Sequence, residues 1–357
     1  MLPPLYLDHA ATAPLLPEAR AALEEGFAHW ANPSSPHRAG RAARAALELA
    51  RERICAALEW DGALIFTSGA TEALALALGT AKAGNILVSA VEHEAVQRPA
   101  GSEASVIPVG RDGLVDLTAL DRMLAEAGQR PLVAVQQVGN ETGVIQLLDE
   151  VAALVTRHGG MLLADCAQGG GKLALPPADL IALSAHKFGG PIGTGALLVR
   201  DFALLNARGG QERGYRAGTE NLPGAMGMAA AIEAGDEWLA GVESLRAVLE
   251  QRIVEEGGEV IAQSSPRLAT IGAYRMPNVM AASQLIRFDA AGIAVSAGSA
   301  CSSGSLRTSH VLAAMNLDAR EAGEVIRVSL GRETTMADVA RFGDAWAAIS
   351  RAVRAAA

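Results

Sequence analysis

Short apolar segments alternate with helical segments from about residue 16 to residue 200, and this alternation constrains the fold more than any other feature. Each apolar segment is a few residues long and almost wholly hydrophobic, which is typical of strands that are buried on both faces of a parallel sheet. The intervening segments carry apolar residues at helical spacing. The sequence therefore predicts an α/β domain in which helices cover both faces of a mostly parallel sheet.

The boundaries of these elements can be read from the same pattern. The predicted strands of this region are Ala63–Thr67, Asn85–Ser89, Ala104–Val109, Leu132–Val138, Met161–Asp165, Leu180–Ser184 and Gly195–Arg200. The predicted helices are Pro17–Trp30, Pro36–Leu58, Ala70–Ala83, Asp116–Ala127 and Asp149–His158. In open sheets of this kind ligands bind beyond the carboxyl ends of the strands, so polar residues that directly follow a strand are candidates for a site.

The C-terminal third of the chain has a different organisation. A helical stretch over Asn221–Glu256, with a break predicted near Gly235, leads into a smaller α+β unit. Its predicted strands are Val260–Ala262, Ala269–Met276, Ile293–Ser296 and Val325–Ser329, and its predicted helices are Ala281–Ala291, Ser309–Met315 and Met336–Ala355. We expect a large domain over residues 12–240 and a small domain formed by residues 1–11 together with residues 241–357.

Charge and hydropathy exclude several classes of function. The formal charge of −9 argues against nucleic acid as a partner, because binding to phosphate backbones needs a clustered basic surface. The longest apolar runs fall short of the roughly 18–20 residues that span a bilayer. The N-terminus lacks the basic and apolar regions of a secretion signal. We expect a cytoplasmic protein without membrane contacts.

Lysine usage narrows the search for a reactive amine. Only Lys82, Lys172 and Lys187 are available, and Lys187 alone directly follows a predicted apolar strand. Another predicted strand ends on Asp165, whose carboxylate could also merely cap the next turn. An amine that bonds the cofactor and a carboxylate that keeps a pyridine nitrogen protonated are what pyridoxal 5′-phosphate (PLP) chemistry needs. Lys187 is the best candidate by elimination.

PLP also needs an anchor for its phosphate. Ser68-Gly69-Ala70-Thr71-Glu72 follows a predicted strand and opens a predicted helix, where free backbone N–H groups and the helix dipole favour an anion. The Thr71 hydroxyl could add a hydrogen bond. The same residues could equally form a helix capping box, so this segment alone is a weak signal.

The three cysteines are too few and too scattered for a disulfide framework, and no pair of them has metal-ligand spacing. Cys55 and Cys166 lie among apolar residues, which indicates buried packing positions. Cys301 instead lies in a glycine- and serine-rich loop over residues 298–305. A thiol in that setting is a candidate nucleophile. The composition of the loop alone is also compatible with a cysteine that has no catalytic role.

Taken together, these segments resemble the cysteine desulfurases of the class V aminotransferase family, and within it the long-loop NifS/IscS-like group. The resemblance covers residue 6 to about residue 345 in the family's order. It is carried by Tyr6–Thr12, Asn32–His37, Phe66–Glu72, Glu92-His93, Asn140–Gly143, Asp165–Gln168, Ser184–Pro191, Gly209–Gly214, Arg216–Asn221, the Cys301 loop and Ile326–Gly331. It implies the type I fold of PLP-dependent transferases and the conversion of L-cysteine to L-alanine, with the sulfur retained as a persulfide on Cys301.

The resemblance also implies roles for individual residues. Lys187 would bond to the cofactor and later carry protons, and Asp165 would pair with its pyridine nitrogen. His93 would stack on the cofactor ring and act as acid or base. The alternative is a surface histidine that only caps a helix. Arg327 would hold the substrate carboxylate, although it could also be only a surface cation beside a strand. The remaining implied cofactor contacts are Ala70, Thr71, Asn140, Gln168, Ser184, His186 and, from the neighbouring subunit of a homodimer, Thr219. Asn140 would also contact the substrate.

Alternatives and partners follow from the same comparison. Other enzymes of the fold, such as aminotransferases or selenocysteine and cystine lyases, share the lysine and the aspartate, so Cys301 is the residue that favours a desulfurase. A non-catalytic descendant is a third reading, against which the retention of the implied site residues argues. We expect L-cysteine and a sulfur-acceptor protein as partners, the latter an iron–sulfur scaffold or a sulfur relay protein. The chain ends soon after its last predicted helix, which puts the scaffold in doubt.

Overall fold

The structure is a computed structural model that describes residues 3–298 and 309–356. Its strands, in chain order, are β1 Leu5–Tyr6, β2 Ala63–Thr67, β3 Ile86–Ser89, β4 Ser105–Ile107, β5 Leu132–Gln136, β6 Met161–Asp165, β7 Leu180–Ser184, β8 Gly195–Val199, β9 Glu259–Val260, β10 Ile271–Arg275, β11 Ile293–Ala294 and β12 Val325–Ser329. Its helices are α1 Pro17–Ala28, α2 Arg38–Ala57, α3 Ala70–Thr80, α4 Glu94–Ala100, α5 Leu117–Glu126, α6 Leu148–Arg157, α7 Leu222–Glu233, α8 Leu239–Glu255, α9 Ala281–Ala290, α10 His310–Ala314, α11 Ala319–Gly323 and α12 Met336–Ala356.

The large sheet has seven strands in the order β2-β8-β7-β6-β5-β3-β4. Strand β8 runs antiparallel to its neighbours β2 and β7, and the other pairings are parallel. The α/β class and the mostly parallel sheet predicted from the sequence are therefore confirmed. Because β5, β6 and β7 are neighbours and run in the same direction, the loops that follow them meet at one edge of the sheet.

Side chains on the two faces of this sheet pack against different helices. One face, with residues such as Leu162, Ile181 and Leu198, packs with α2, α5, α6 and α7. The other face, with residues such as Leu163 and Leu197, packs with α3 and α4. Adjacent residues of one strand thus enter opposite cores, which explains why each strand reads as continuously apolar.

The C-terminal region forms its own sheet and its own apolar cluster. Strands β12, β10 and β9 make a three-stranded antiparallel sheet, and the aromatic rings of Phe288, Phe342 and Trp346 pack together beside it. Near the N-terminus, β1 pairs in parallel with β11, and Asp8 forms a bridge with Ser329. The N-terminal segment is thereby held against the C-terminal unit. The domain limits at residues 12 and 240 stay a prediction.

Some elements differ from the predicted ones. Helix α4 was not predicted, and it contains Pro99, a residue that normally argues against a helix. Strand β1 has only two residues and forms because β11 lies beside it, so no local pattern could indicate it. The break between α7 and α8 lies where it was predicted, with Gly235 at a φ of 68°. Within residues 3–298 and 309–356, none of the helices combines the length and apolar character of a membrane span.

Candidate active site

A cavity of about 920 Å³ opens at the edge of the large sheet where β2, β5, β6 and β7 end. Strand β12 of the small sheet closes its other side through Arg327. Ten of the residues predicted as site residues line it: Ala70, Thr71, His93, Asn140, Asp165, Gln168, Ser184, His186, Lys187 and Arg327. Thr219 is exposed and does not line this cavity. Cys301 lies outside the described residues.

Lys187 ends a single 3-10 turn that directly follows β7. Its Nζ donates hydrogen bonds to the carbonyl oxygens of Ala10 (2.7 Å) and Ala11 (3.0 Å). Burial lowers the pKa of this amine to about 8, and the nearby Arg327 guanidinium adds to the effect, while Asp165 and Asp8 oppose it. A lysine in this state has a neutral amine available close to physiological pH, as a nucleophilic amine requires.

Asp165 is the last residue of β6 and is buried, with 7% of its surface exposed. Its Oδ1 accepts a hydrogen bond from the backbone N–H of Ala167 (2.9 Å). Burial raises the pKa of this carboxyl, and the backbone hydrogen bond and the positive charges of His93 and Lys187 partly offset that effect. A buried carboxylate with few fixed partners is suited to an additional cationic group within the cavity.

His93 is the residue before α4, and its ring is exposed to the cavity. The Nδ1 atom accepts a hydrogen bond from the backbone N–H of Ala95 (3.1 Å), so the ring does cap the helix. Because Nδ1 is the acceptor in that contact, the proton of the neutral ring is on Nε2. The Nε2–H group is therefore the one that can donate to a ligand in the cavity. Partial desolvation lowers the pKa of His93, with Asp165 opposing and Lys187 reinforcing the shift. Capping and a place in the site are therefore compatible.

The N-terminal end of α3 forms the part of the cavity that suits a phosphate. Gly69 precedes the helix with a φ of 153°, a conformation that favours glycine. A Cβ on the neighbouring Gly195 would lie 2.5 Å from the Gly69 Cα, so the close approach of the two backbones requires glycine at position 195. The hydroxyl of Ser184 lies on the same side as the helix terminus, 3.5 Å from where a Cβ of Gly69 would be. Helix N-termini of this kind bind anions through free N–H groups.

His186 and Glu72 complete this region. Burial and the charges of Lys187 and Lys172 lower the pKa of His186 to about 4, so its ring is neutral and can donate one hydrogen bond and accept another. Its Nδ1 lies 3.2 Å from the Thr12 hydroxyl. Glu72 accepts from the Ser68 backbone N–H (2.6 Å) and pairs with Arg216 (2.8 Å). The capping box that was the alternative for this segment does not form, because the residue before the helix is Gly69 and no side chain caps it. Glu72 contacts the Ser68 N–H instead, and the helix N-terminus lines the cavity.

Arg327 faces the cavity from β12 and is buried, with 7% of its surface exposed, which excludes the surface-cation alternative. Its guanidinium donates to the Asp8 carboxylate (2.8 Å) and to the backbone oxygen of Asn140 (3.0 Å). Asp8 was predicted only as part of a matching stretch, without a role of its own. Its contact joins residues that are 319 positions apart in the sequence, so no local signal could reveal it.

Two further buried acids, Glu92 behind the cavity and Glu141 in its wall, were not predicted as functional. Glu92 is fully buried beside Asp165, and burial together with that like charge raises its pKa well above the ordinary value. Its Oε1 accepts from the backbone N–H of Gln136 (2.8 Å). Glu141 accepts a hydrogen bond from the Ser309 hydroxyl (2.6 Å) and lines the cavity. No cluster of three or more metal-binding side chains occurs in the part of the chain that the structure describes.

Comparison with known proteins identifies the family. The family model described as "Aminotransferase class-V" matches residues 5–342. The chain belongs to the class V aminotransferase family. Its cofactor is pyridoxal 5′-phosphate, as in this family as a whole.

Individual relatives cover nearly the whole chain. A cysteine desulfurase of Cereibacter sphaeroides is 37% identical, over 95% of this chain and 93% of its own length. A NifS-like protein of Rickettsia africae has the same fold, with a TM-score of 0.90 at 30% identity, and the match covers 97% of this chain and 99% of that one. The structure titled "SspA in complex with cysteine" matches with a TM-score of 0.79 at 27% identity, over 93% and 100% of the two chains. The type I fold of PLP-dependent transferases is thereby confirmed.

The residues of the cavity fit PLP. The cavity contains an amine, a buried carboxylate and a helix N-terminus. These are the groups that suit the aldehyde, the ring nitrogen and the phosphate of this cofactor. Gln168 supplies an independent observation, because its Oε1 is buried and has no hydrogen-bond partner among the described residues, while its Nε2 donates to the Ala10 oxygen (2.8 Å). A buried amide atom without a partner is unusual in a folded protein and indicates a missing partner in the cavity.

The pKa of Lys187, the lysine predicted from the sequence to bond PLP, leads to a prediction for how the apoenzyme takes up the cofactor. Bond formation with the cofactor aldehyde requires the neutral amine, whose fraction rises as the pH passes about 8, whereas an ordinary lysine would reach the same fraction above pH 10. We expect the rate of reconstitution to increase from pH 6.5 to about 8 and then to level off. The measurement is the growth of cofactor absorbance in stopped-flow mixing. A rate that continues to rise tenfold per pH unit up to pH 10 would contradict the lowered pKa.

Proposed function

We propose that this chain acts as a PLP-dependent cysteine desulfurase that converts L-cysteine to L-alanine and carries the sulfur as a persulfide on Cys301. The observation that carries the proposal is the convergence of Lys187, Asp165, the α3 N-terminus and Arg327 on one cavity. The activity named for the Cereibacter relative and the cysteine bound in the SspA structure support L-cysteine as substrate.

The cofactor, when bound, supplies an electron-accepting ring that stabilises negative charge on the substrate carbon. Asp165 holds a proton on the ring nitrogen, since its buried carboxylate favours a cationic partner. Lys187, with a pKa near 8 in the free protein, accepts and returns protons at the substrate carbon. His93 has its Nδ1 occupied by a backbone N–H, so Nε2 is the atom that exchanges a proton with the substrate or the thiol.

Arg327 orients the substrate. Its planar guanidinium binds a carboxylate through two parallel hydrogen bonds, and in the free protein one of these donors contacts Asp8. The substrate carboxylate replaces Asp8 as the partner of Arg327, and Asn140 lies at the same place because its backbone oxygen already contacts this guanidinium. Asp8 thereby keeps the buried arginine paired while no substrate is present.

Cys301 takes the sulfur. Its thiolate attacks the sulfur of the substrate, an S–S bond forms, and the substrate C–S bond breaks with its electron pair remaining on carbon. Protonation of that carbon gives alanine, so one cysteine and one thiol become one alanine and one persulfide. Gly298, three positions before Cys301 in the sequence, lines the cavity, which supports access of this thiol to the substrate.

The partners of the reaction are also part of the proposal. We propose a homodimer, in which the exposed Thr219 of one subunit contacts the cofactor of the other. The dimer would also cover the exposed apolar side chains of Phe27 (68%), Trp30 (83%) and Ile192 (78%). Ile192 also lines the cavity. A sulfur-acceptor protein, either an iron–sulfur scaffold or a sulfur relay protein, removes the persulfide sulfur. We place the reaction in the cytoplasm.

The test compares products with and without the thiol. With L-cysteine and a reductant, the protein should release alanine and sulfide in equal amounts, and Cys301→Ala should retain its yellow cofactor while turnover falls at least about 10²-fold. Cys55→Ala is the matched control, because this thiol lies in α2 away from the cavity. If Cys301→Ala turned over cysteine normally while selenocysteine or a keto acid was the preferred substrate, the protein would be another enzyme of the family.

A further inference from the structure

A second cavity, of about 120 Å³, shares Ala10, Gln168 and Lys187 with the substrate cavity. Its other walls differ from those of the substrate cavity. They come from the segment before α1, the turn after Gln168, the residues after Lys187, the corner between α7 and α8, Thr270 directly before β10, and the loop after β12. Lys187 therefore lies in the wall between the two cavities. The mechanism proposed above uses the substrate cavity and assigns nothing to this one.

Positive charge dominates the polar part of the second cavity. Lys172 is buried, with 7% of its surface exposed, and its Nζ donates to the backbone oxygen of Gln168 (3.1 Å). An ammonium group has three donors, and within the described residues no carboxylate pairs with this one. Arg332 lies over the Trp238 ring at 5.1 Å and donates to the Ala234 backbone oxygen (3.4 Å). The acidic residue in the wall is Glu333, which is exposed.

Two uncharged donors in the same wall also lack partners. Thr270 is 3% exposed, and its hydroxyl is buried without a hydrogen-bond partner in the described part of the chain. The same holds for the indole N–H of Trp238. Buried polar groups are almost always satisfied, so two unpaired donors beside two cations indicate an acceptor that belongs in this cavity.

The remaining surface of the cavity is apolar. Leu15, Leu16, Phe188 and Leu330 form it together with the Trp238 ring. A fully hydrated inorganic anion would leave this surface without a partner, whereas an anion with a short alkyl chain would cover it. The volume allows a ligand of only a few carbon atoms.

We propose that this second cavity binds a small aliphatic carboxylate, with its carboxylate held by Lys172 and the Thr270 hydroxyl and its alkyl end against Leu15 and Leu16. This inference does not depend on the desulfurase activity, because it rests on residues that the proposed reaction does not use. A bound anion adds negative charge next to Lys187 and thereby favours the protonated form of that amine. The cavity is thus a place from which a small metabolite can change the reactivity of the catalytic lysine.

Binding is expected to depend on pH. Burial and the charges of Lys187 and Arg332 lower the pKa of Lys172 to about 7, and a carboxylate binds the protonated amine. The other titratable groups that face it are His9, His186 and the exposed Glu333. Affinity should therefore fall as the pH rises above about 7, since the neutral amine offers no charge to the ligand.

The test is calorimetric titration of the PLP-loaded protein with sodium propionate at constant ionic strength. We expect saturable binding at one site, at least a tenfold increase in Kd for Lys172→Met and for Thr270→Val, and little change for Lys82→Met. The Lys82 variant is the matched control, because it makes the same chemical change at an exposed lysine outside the cavity. Thermal unfolding of each variant verifies that it is folded.

Arg327 could also attract propionate, into the substrate cavity, so Arg327→Ala is titrated as well. Retained binding in this variant supports the second cavity. Binding that disappears in Arg327→Ala but persists in Lys172→Met and Thr270→Val would overturn the inference, as would the absence of saturable binding in the unmodified protein. Loss of cysteine turnover with normal propionate binding would instead count against the proposed function alone.

Discussion

Lys187→Ala is expected to reduce cysteine turnover by at least about 10³-fold, because it removes the amine that we propose bonds the cofactor and carries protons at the substrate carbon. Neither remaining lysine can replace it. Lys82 is exposed and lies outside the substrate cavity, and Lys172 donates to the Gln168 backbone oxygen in the wall of the second cavity. The loss should therefore appear in kcat, with any change in KM secondary.

Borohydride trapping followed by peptide mass analysis measures the bond itself. The unmodified protein should carry the reduced cofactor on the peptide that contains Lys187, and the variant should carry none, although it can still hold PLP through the phosphate region of the cavity. Lys172→Ala is the informative control, since this lysine is also buried and has a lowered pKa, about 7. If the adduct were found on Lys172, or if Lys187→Ala kept its activity, the assignment of the amine would be wrong.

Much of the fold could be predicted because its strands are buried on both faces. Strands β2, β6, β7 and β12 begin and end at the predicted residues, since a continuous apolar run marks both limits of such a strand. Helix α4 escaped prediction because Pro99 and a short length hide its pattern, and its stability comes from packing against α3. Strand β1 escaped because its partner is 288 positions away along the chain.

The candidate site shows the same division between local and long-range information. Asp165 and Lys187 could be singled out because Asp165 ends one apolar strand and Lys187 comes shortly after another, and parallel strands bring their ends together. The contact of Asp8 with Arg327 and the burial of Glu92 beside Asp165 depend on the folded arrangement of distant segments. The second cavity is hidden for the same reason, because Lys172, Thr270 and Arg332 share no motif in the sequence.

Asp165→Asn is expected to lower kcat by about 10²–10³-fold while the protein stays folded and binds PLP. Asparagine has the same shape and can still accept the hydrogen bond from the Ala167 N–H, so the change removes the negative charge and little else. Without that charge the ring nitrogen of the cofactor loses its proton, and the ring becomes a weaker electron acceptor. The burial of Asp165 makes the effect large, because water cannot take over the role of the carboxylate.

A matched control for this substitution is Asp179, which directly precedes β7 and contacts the beginning of β6. Asp179 accepts a hydrogen bond from the backbone N–H of Leu162 (2.8 Å), in β6, and does not line the substrate cavity. Asp179→Asn should therefore destabilise the protein no more than Asp165→Asn does, and it should leave kcat unchanged. A shift in the absorbance of bound PLP in Asp165→Asn alone separates an electronic role from a structural one. Equal losses of kcat in both variants, with unchanged cofactor absorbance, would show that Asp165 only supports the strand.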